Sequence, residues 1–318
     1  MGMKKDIAIP VDSESRTVLA DVVYPSENNI DVILSKENKD NLETFILSYK
    51  NADRLNSMGI GVSNTLLLYG PPGCGKTQCA YLIARELGLP LVIARLDSLI
   101  SSYLGTTAKN IRALFDFAQK KPCVLFLDEF DAIAKARDDS NELGELKRVV
   151  NSLLQNVDAM SNDSLLIAAT NHDKLLDSAV WRRFEYKLRI ELPDTNAIIE
   201  MIDLFTRKGH NLNDKEKIEL ATALSGLSGA NVEEILVKAM RKAIIHERAV
   251  EKSDYYDEIF SFKGIIPQNC SCEKTLLSIK ANYLRSCSEK VFSYQVIANI
   301  LNISKTSVSK IVKEVSEV

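Results

Sequence analysis

Three glycines, a lysine and a hydroxyl stand in the order G-x-x-x-x-G-K-[ST] across Gly70-Pro71-Pro72-Gly73-Cys74-Gly75-Lys76-Thr77. That pattern suits phosphate: glycines let successive backbone N–H groups turn inward around an anion, and the positive end of a following helix faces it. Lys76 is placed to neutralise the outer phosphates of a nucleoside triphosphate, and Thr77 to offer its hydroxyl to Mg²⁺, a hard cation that keeps several waters. Gln78 counts with the loop as a nucleotide contact, whereas Cys74 and Cys79 read as space-fillers. A second candidate is the apolar run from Cys123 to Leu127 that ends in adjacent carboxylates, Asp128 and Glu129. Two neighbouring acids at a strand end are costly unless a cation or a reaction uses them. Asp128 suits Mg²⁺ through its water shell, and Glu129 suits polarising the water that attacks a γ-phosphate. A third strand end, Ala168-Ala169-Thr170-Asn171, offers Asn171 to hold that water or to sense the γ-phosphate.

These groups need a scaffold that brings strand ends to one edge. Between Thr65 and Ile190 short apolar runs at 65–69, 91–96, 123–127, 165–169 and 186–190 alternate with helical periods near 76–87, 107–120 and 143–157. The alternation predicts an α/β core, a parallel sheet between helices, with ligands outside the carboxyl ends of its strands. Leu42, Phe45, Ile46 and Tyr49 recur at helical spacing and predict a lead-in helix. Asp6–Val11 and Thr17–Tyr24 alternate as a small hairpin or an arm would. After Pro193 only helical periods follow, at 196–208, 214–223 and 230–247, until the Gly, Pro and Asn punctuation of 262–272.

The chain of 318 residues is 46% hydrophobic and 26% charged with a net charge of −3, too balanced for the whole chain to act as a nucleic-acid glue, so binding surfaces are local. The six cysteines are too sparse for a disulfide framework and read as reduced thiols, and Cys270 and Cys272 have C-x-C rather than paired C-x-x-C spacing. His172, His210 and His246 lack ligand spacing. Neither a signal-peptide run nor a membrane-length apolar segment stands out, which predicts a cytoplasmic chain with no membrane partner.

With those residues in view, the chain resembles the classical AAA subgroup of AAA+ ATPases over about 31–245. The match includes Ala168–Asn171 continuing through Leu175-Leu176-Asp177-Ser178-Ala179-Val180-Trp181-Arg182-Arg183-Phe184, similar to the subgroup's second region of homology. The resemblance implies a P-loop AAA+ core, ATP and Mg²⁺ as cofactors, ATP hydrolysis, and a homo-oligomer, a hexamer, in which Arg182 and Arg183 reach a neighbouring subunit's pocket. It implies that Tyr103, Leu104 and Gly105 form a first pore loop and that 137–145 forms a second, which fits a protein substrate. It also implies that Gly226-Leu227-Ser228-Gly229-Ala230-Asn231 opens the lid. No arginine stands at the usual second-sensor point, a departure the subgroup shares.

The remaining module, 273–318, carries seven lysines and arginines against four carboxylates. Tyr294–Ile311 looks like a helix-turn-helix: Ala298 is small where helices approach, Asn302 takes a left-handed turn, Ser304 caps the second helix, and Ile303, Val308 and Ile311 fill the wedge. Lys305, Thr306, Ser307, Ser309 and Lys310 then face outward, which makes DNA the alternative partner and a DNA-associated regulatory or recombination ATPase the alternative function. The expected organisation is an arm at 1–30, the α/β subdomain at 31–193, a helical lid at 194–260, a linker at 261–272 and a small all-α domain at 273–318.

Overall fold

The computed structural model describes residues 9–12, 15–25, 32–99, 104–132, 143–161, 163–176, 178–206, 212–266 and 272–316. Two compact units form, Met1–Glu191 and Leu192–Val318. In the first, β1 (Ala20–Val23), β2 (Thr65–Tyr69), β3 (Leu91–Ala94), β4 (Val124–Leu127), β5 (Leu165–Thr170) and β6 (Tyr186–Arg189) make one sheet, ordered β1-β3-β4-β5-β2-β6. Strands β2 to β6 are parallel. β1 pairs antiparallel with β3, Ala20 opposite Ala94. It comes from the alternating stretch Thr17–Tyr24, which meets the other alternating stretch through a Val11–Val18 bridge.

Successive strand residues point to opposite faces, and helices bury both. On one face Leu67, Leu125 and Leu166 share a core with Ile111, Leu114 and Phe115 of α5 (Leu104–Ala118) and with Val150, Leu153 and Val157 of α6 (Leu143–Asp158). On the other, Leu66, Leu68 and Phe126 meet Leu42, Phe45 and Ile46 of α1 (Lys36–Lys50) and Cys79, Ala80 and Ile83 of α3 (Lys76–Leu87). Short helices α2 (Ala52–Ser57), α4 (Leu96–Leu99) and α7 (Ser178–Arg183) complete the unit among the described residues. This is a mixed α/β, mostly parallel arrangement, as expected for the core.

The second unit is helical: α8 (Thr195–Thr206), α9 (Asp214–Leu224), α10 (Gly229–Ile245), α11 (Lys252–Phe262), α12 (Glu273–Cys287), α13 (Tyr294–Leu301) and α14 (Lys305–Ser316). Helix α8 packs on α9 and α10, and α11 packs on α9, α10 and α13. A ring cluster joins the earlier and later helices: Tyr256 lies 6.4 Å from Phe292 and Phe260 6.0 Å from Tyr283, both edge to face. Of the expected linker, 261 and 262 end α11 and 267–271 lie outside the described residues. Among the described residues no helix is long and apolar enough to cross a membrane.

Candidate active site at the carboxyl edge of the sheet

The loop between β2 and α3 is built on backbone freedom. Gly70, Gly73 and Gly75 all take positive φ, at 137°, 71° and 96°. At Gly70 a Cβ would lie 2.0 Å from the carbonyl oxygen of Ile190, so only glycine fits between loop and β6 exit. The Lys76 ammonium, 6% exposed, folds back to donate to the carbonyls of Gly70 (2.9 Å) and Pro71 (2.7 Å). Burial pushes its pKa down, and Asp128 and Asp131 offset part of that. A buried cation held by neutral carbonyls beside a glycine loop is a seat for an anion.

Thr77, on the first turn of α3, donates its hydroxyl to Asp128 Oδ2 at 2.9 Å. Asp128 follows β4, and its Oδ1 accepts from the Glu129 N–H at 2.9 Å. A hydroxyl and a carboxylate this close form the hard oxygen set that Mg²⁺ selects, so the residues fit the metal. Glu129 itself is exposed and left-handed, φ 49°, which costs about 1–2 kcal/mol for a residue with a Cβ. At the end of β5, Asn171 Oδ1 is buried without a hydrogen-bond partner. An orphan acceptor at this edge suits a bound water or ligand donor.

The structure thus gathers Gly70–Thr77, Asp128, Glu129 and Asn171 at the carboxyl ends of β2, β4 and β5. Gln78 is exposed on the first turn of α3. Cys74 and Cys79 are buried, and burial raises the Cys79 thiol to about 12, which leaves it inert. Tyr103 and residues 137–142 of the expected second pore loop, 137–145, lie outside the described residues, and Leu104 is the first residue of α5. Arg182 and Arg183 end α7. Arg182 is exposed, while Arg183 Nε is 2.8 Å from Asp158 Oδ1. The backbone carbonyl of Arg183 accepts from the Thr65 hydroxyl at 3.1 Å. Thr65 starts β2 and Gly70 follows its end, so the arginine pair leaves the sheet at the opposite edge, about 17 Å away along a strand of that length.

Two residues escaped the sequence reading. Asp158, the anchor of Arg183, comes from a distant helix and carries no local signal. Asp131 is 6% exposed and accepts from the Thr170 hydroxyl at 2.9 Å. Its signal was available: a third acid two positions after Glu129.

Comparison with known proteins gives the family and the fold. The model for the ATPase family associated with various cellular activities (AAA) matches residues 66–192. An uncharacterised AAA family ATPase of Sinorhizobium fredii is 45% identical over 234 residues, 73% of this chain and 70% of that protein. A proteasome-activating nucleotidase of Methanococcus maripaludis is 30% identical over 280 residues, covering 85% and 69%. The 26S proteasome regulatory subunit 6A of Saccharomyces cerevisiae is 31% identical over 274 residues, covering 81% and 63%. The fold also resembles the FIGL-1 AAA domain in complex with ADP, with a TM-score of 0.64 at 24% identity over 82% of this chain and 90% of that one. The protein belongs to the AAA family of ATPases, enzymes that bind and hydrolyse ATP.

Proposed function

We propose that the chain is a ring-forming motor of the classical AAA subgroup, a cytoplasmic homo-hexamer that spends ATP to remodel or thread a protein. The observation that carries this reading is the split of the candidate machinery between the two edges of the sheet. Lys76, Thr77, Asp128, Glu129 and Asn171 meet at one edge, while Arg182 and Arg183 leave from the other. A pair displaced in this way serves a pocket on the next copy rather than its own. The named relatives, a proteasome-activating nucleotidase and a proteasome regulatory subunit, support a protein substrate.

In this mechanism the loop N–H groups and Lys76 bind and orient the triphosphate. Thr77 and Asp128 would hold Mg²⁺, which when bound would supply positive charge against the phosphate oxygens. Glu129 takes a proton from the attacking water, and Asn171 Oδ1 accepts that water's other hydrogen. A guanidinium from the neighbouring copy meets the developing charge, a contribution worth about 10³–10⁵ in rate. Tyr103 and Leu104 grip the threaded chain through area rather than sequence.

The test is Glu129→Gln. Nucleotide affinity is expected within about threefold of the parent while turnover falls about 10²-fold or more. A variant that still hydrolyses ATP at the parent rate removes Glu129 from the reaction.

A second reading concerns 273–318, which we propose forms a helix-turn-helix module addressed to duplex DNA. Residues 290–313 carry four lysines and no carboxylate, in a chain of net charge −3. Asn302 adopts the left-handed turn (φ 55°), and Ser304 caps α14 by accepting from the Ser307 N–H at 3.1 Å. Lys305, Thr306 and Lys310 are exposed. Full-length protein is expected to retain a duplex in a salt-dependent way, and Lys305→Glu with Lys310→Glu to lose it without loss of ATPase activity. Equal retention by the double variant rejects the reading.

A further inference from the structure

Glu129 and Asn171 have to meet the same water, yet they stand on different strands and on turns that the strands alone do not fix. Glu129 occupies a left-handed conformation that a residue with a Cβ avoids unless its surroundings impose it. The bonds around it are specific. Its N–H donates to Asp128 Oδ1 at 2.9 Å, its carbonyl accepts from the Ala132 N–H at 2.8 Å, and the Phe130 N–H crosses to the carbonyl of Ala169 at 2.8 Å.

Asn171 is pinned from both sides by one hydroxyl. Thr170 Oγ1 accepts from the His172 N–H at 3.0 Å and donates to Asp131 Oδ1 at 2.9 Å. Asp131 and Thr170 are 6% and 1% exposed, so water does not compete for this bond. A charge-assisted bond at such a site is stronger and more directional than a neutral, solvated one. The His172 ring adds little, since Nε2 lies 4.0 Å from Asp131 Oδ2 and is half exposed.

We propose that the buried Asp131–Thr170 hydrogen bond is a positioning pair that fixes Glu129 and Asn171 against each other. The role asks for no contact of either residue with ATP or the attacking water. The pair acts through the two turns it ties together, so its loss misplaces the base relative to the water acceptor while the phosphate loop, on β2 and α3, keeps its shape. The inference rests on the catalytic reading of Glu129 and Asn171.

Thr170→Val removes the hydroxyl at nearly constant shape, and Thr170→Ser keeps the hydroxyl and trims a methyl. Thr170→Val is expected to lower kcat about 10–100-fold with the dissociation constant of a non-hydrolysable ATP analogue within about threefold. Thr170→Ser is expected to keep kcat within about threefold. Asp131→Ala should lower kcat at least as far as Thr170→Val, since it also removes a carboxylate that offsets the burial of Lys76, and the double variant should be no slower than Asp131→Ala, because one unit is lost once. Parent kcat in Thr170→Val, or a serine variant as slow as the valine one, overturns the proposal. So does a kcat loss that vanishes on cooling below each variant's own melting onset, which marks mere destabilisation. Should Glu129→Gln and Asn171→Ala also turn over at the parent rate, the catalytic reading falls with it; if they fail while Thr170→Val does not, only the positioning role falls.

Discussion

Gly70 and Gly88 both take positive φ, and they answer to different constraints. Gly88 ends α3 at φ 65°, and a Cβ there would meet nothing within 4 Å. Gly70, at φ 137°, would drive its Cβ into the Ile190 carbonyl. Gly88→Ala therefore costs only the left-handed penalty, about 1–2 kcal/mol. Gly70→Ala adds a backbone collision to a conformation alanine does not adopt, and is expected to cost at least about 3 kcal/mol and to abolish nucleotide binding. Urea midpoints with a nucleotide titration check both; equal costs at the two positions would refute the close-approach account. The glycines and lysine of this loop were legible because the loop is contiguous and its chemistry follows from residue order. The Asp131–Thr170 bond was not, because it joins residues 39 apart that only the adjacency of β4 and β5 brings together.

At the scale of elements, β2, β3, β4 and β5 were readable because their buried runs are apolar on both faces, which left the order of the sheet but not the position of these strands open. The partner of β1 was not readable: four residues alternating at an edge carry no mark of the strand they will join. Helix α11 was overlooked although Glu251 and Asp254 form a capping box and Tyr255, Tyr256, Ile259 and Phe260 line one side. Asp254 does a second job there, accepting two 2.6 Å bonds from the Arg248 guanidinium. Those bonds hold its carboxyl below the ordinary carboxylate range, against an opposing effect of burial. A folded value below the unfolded one adds stability above the ordinary pKa of about 3.9, and that stability drains as pH falls toward the folded value. Asp254→Asn is expected to lower the melting temperature at pH 7 and to lose less than the parent as pH falls below about 4. Parallel acid curves for the two proteins would deny the pair this role. In the same unit, Asn302→Gly should leave urea stability nearly unchanged, and Asn302→Val should cost about 1–2 kcal/mol, since a branched Cβ is poorly tolerated at φ 55°. If valine is tolerated as well as glycine, the tight turn proposed between α13 and α14 is wrong.

For the whole molecule, the proposed function asks an arginine pair at one edge of the sheet to serve a reaction at the other. Arg182 is exposed and Arg183 is anchored: Asp158 holds the Arg183 Nε at 2.8 Å, which limits the swing of its guanidinium. A pre-aimed guanidinium loses less conformational freedom on meeting an anion than a loose one. Asp158→Ala is thus expected to slow turnover less than Arg183→Ala, because the charge remains and only its aim is lost. The trans geometry itself is tested by mixing. Under the proposal, rings of Arg183→Ala alone lack the anchored guanidinium everywhere, and rings of Glu129→Gln alone lack the base everywhere, so each is expected to lose most of its activity. In a mixed ring, some interfaces pair an intact base on one copy with an intact arginine from its neighbour, and activity should return with a maximum at intermediate ratios. Recovery requires that the two groups come from different chains. If mixtures at every ratio stay as inactive as the parents, while exchange of subunits is verified by fluorescence transfer, the arginines act within their own chain or not at all.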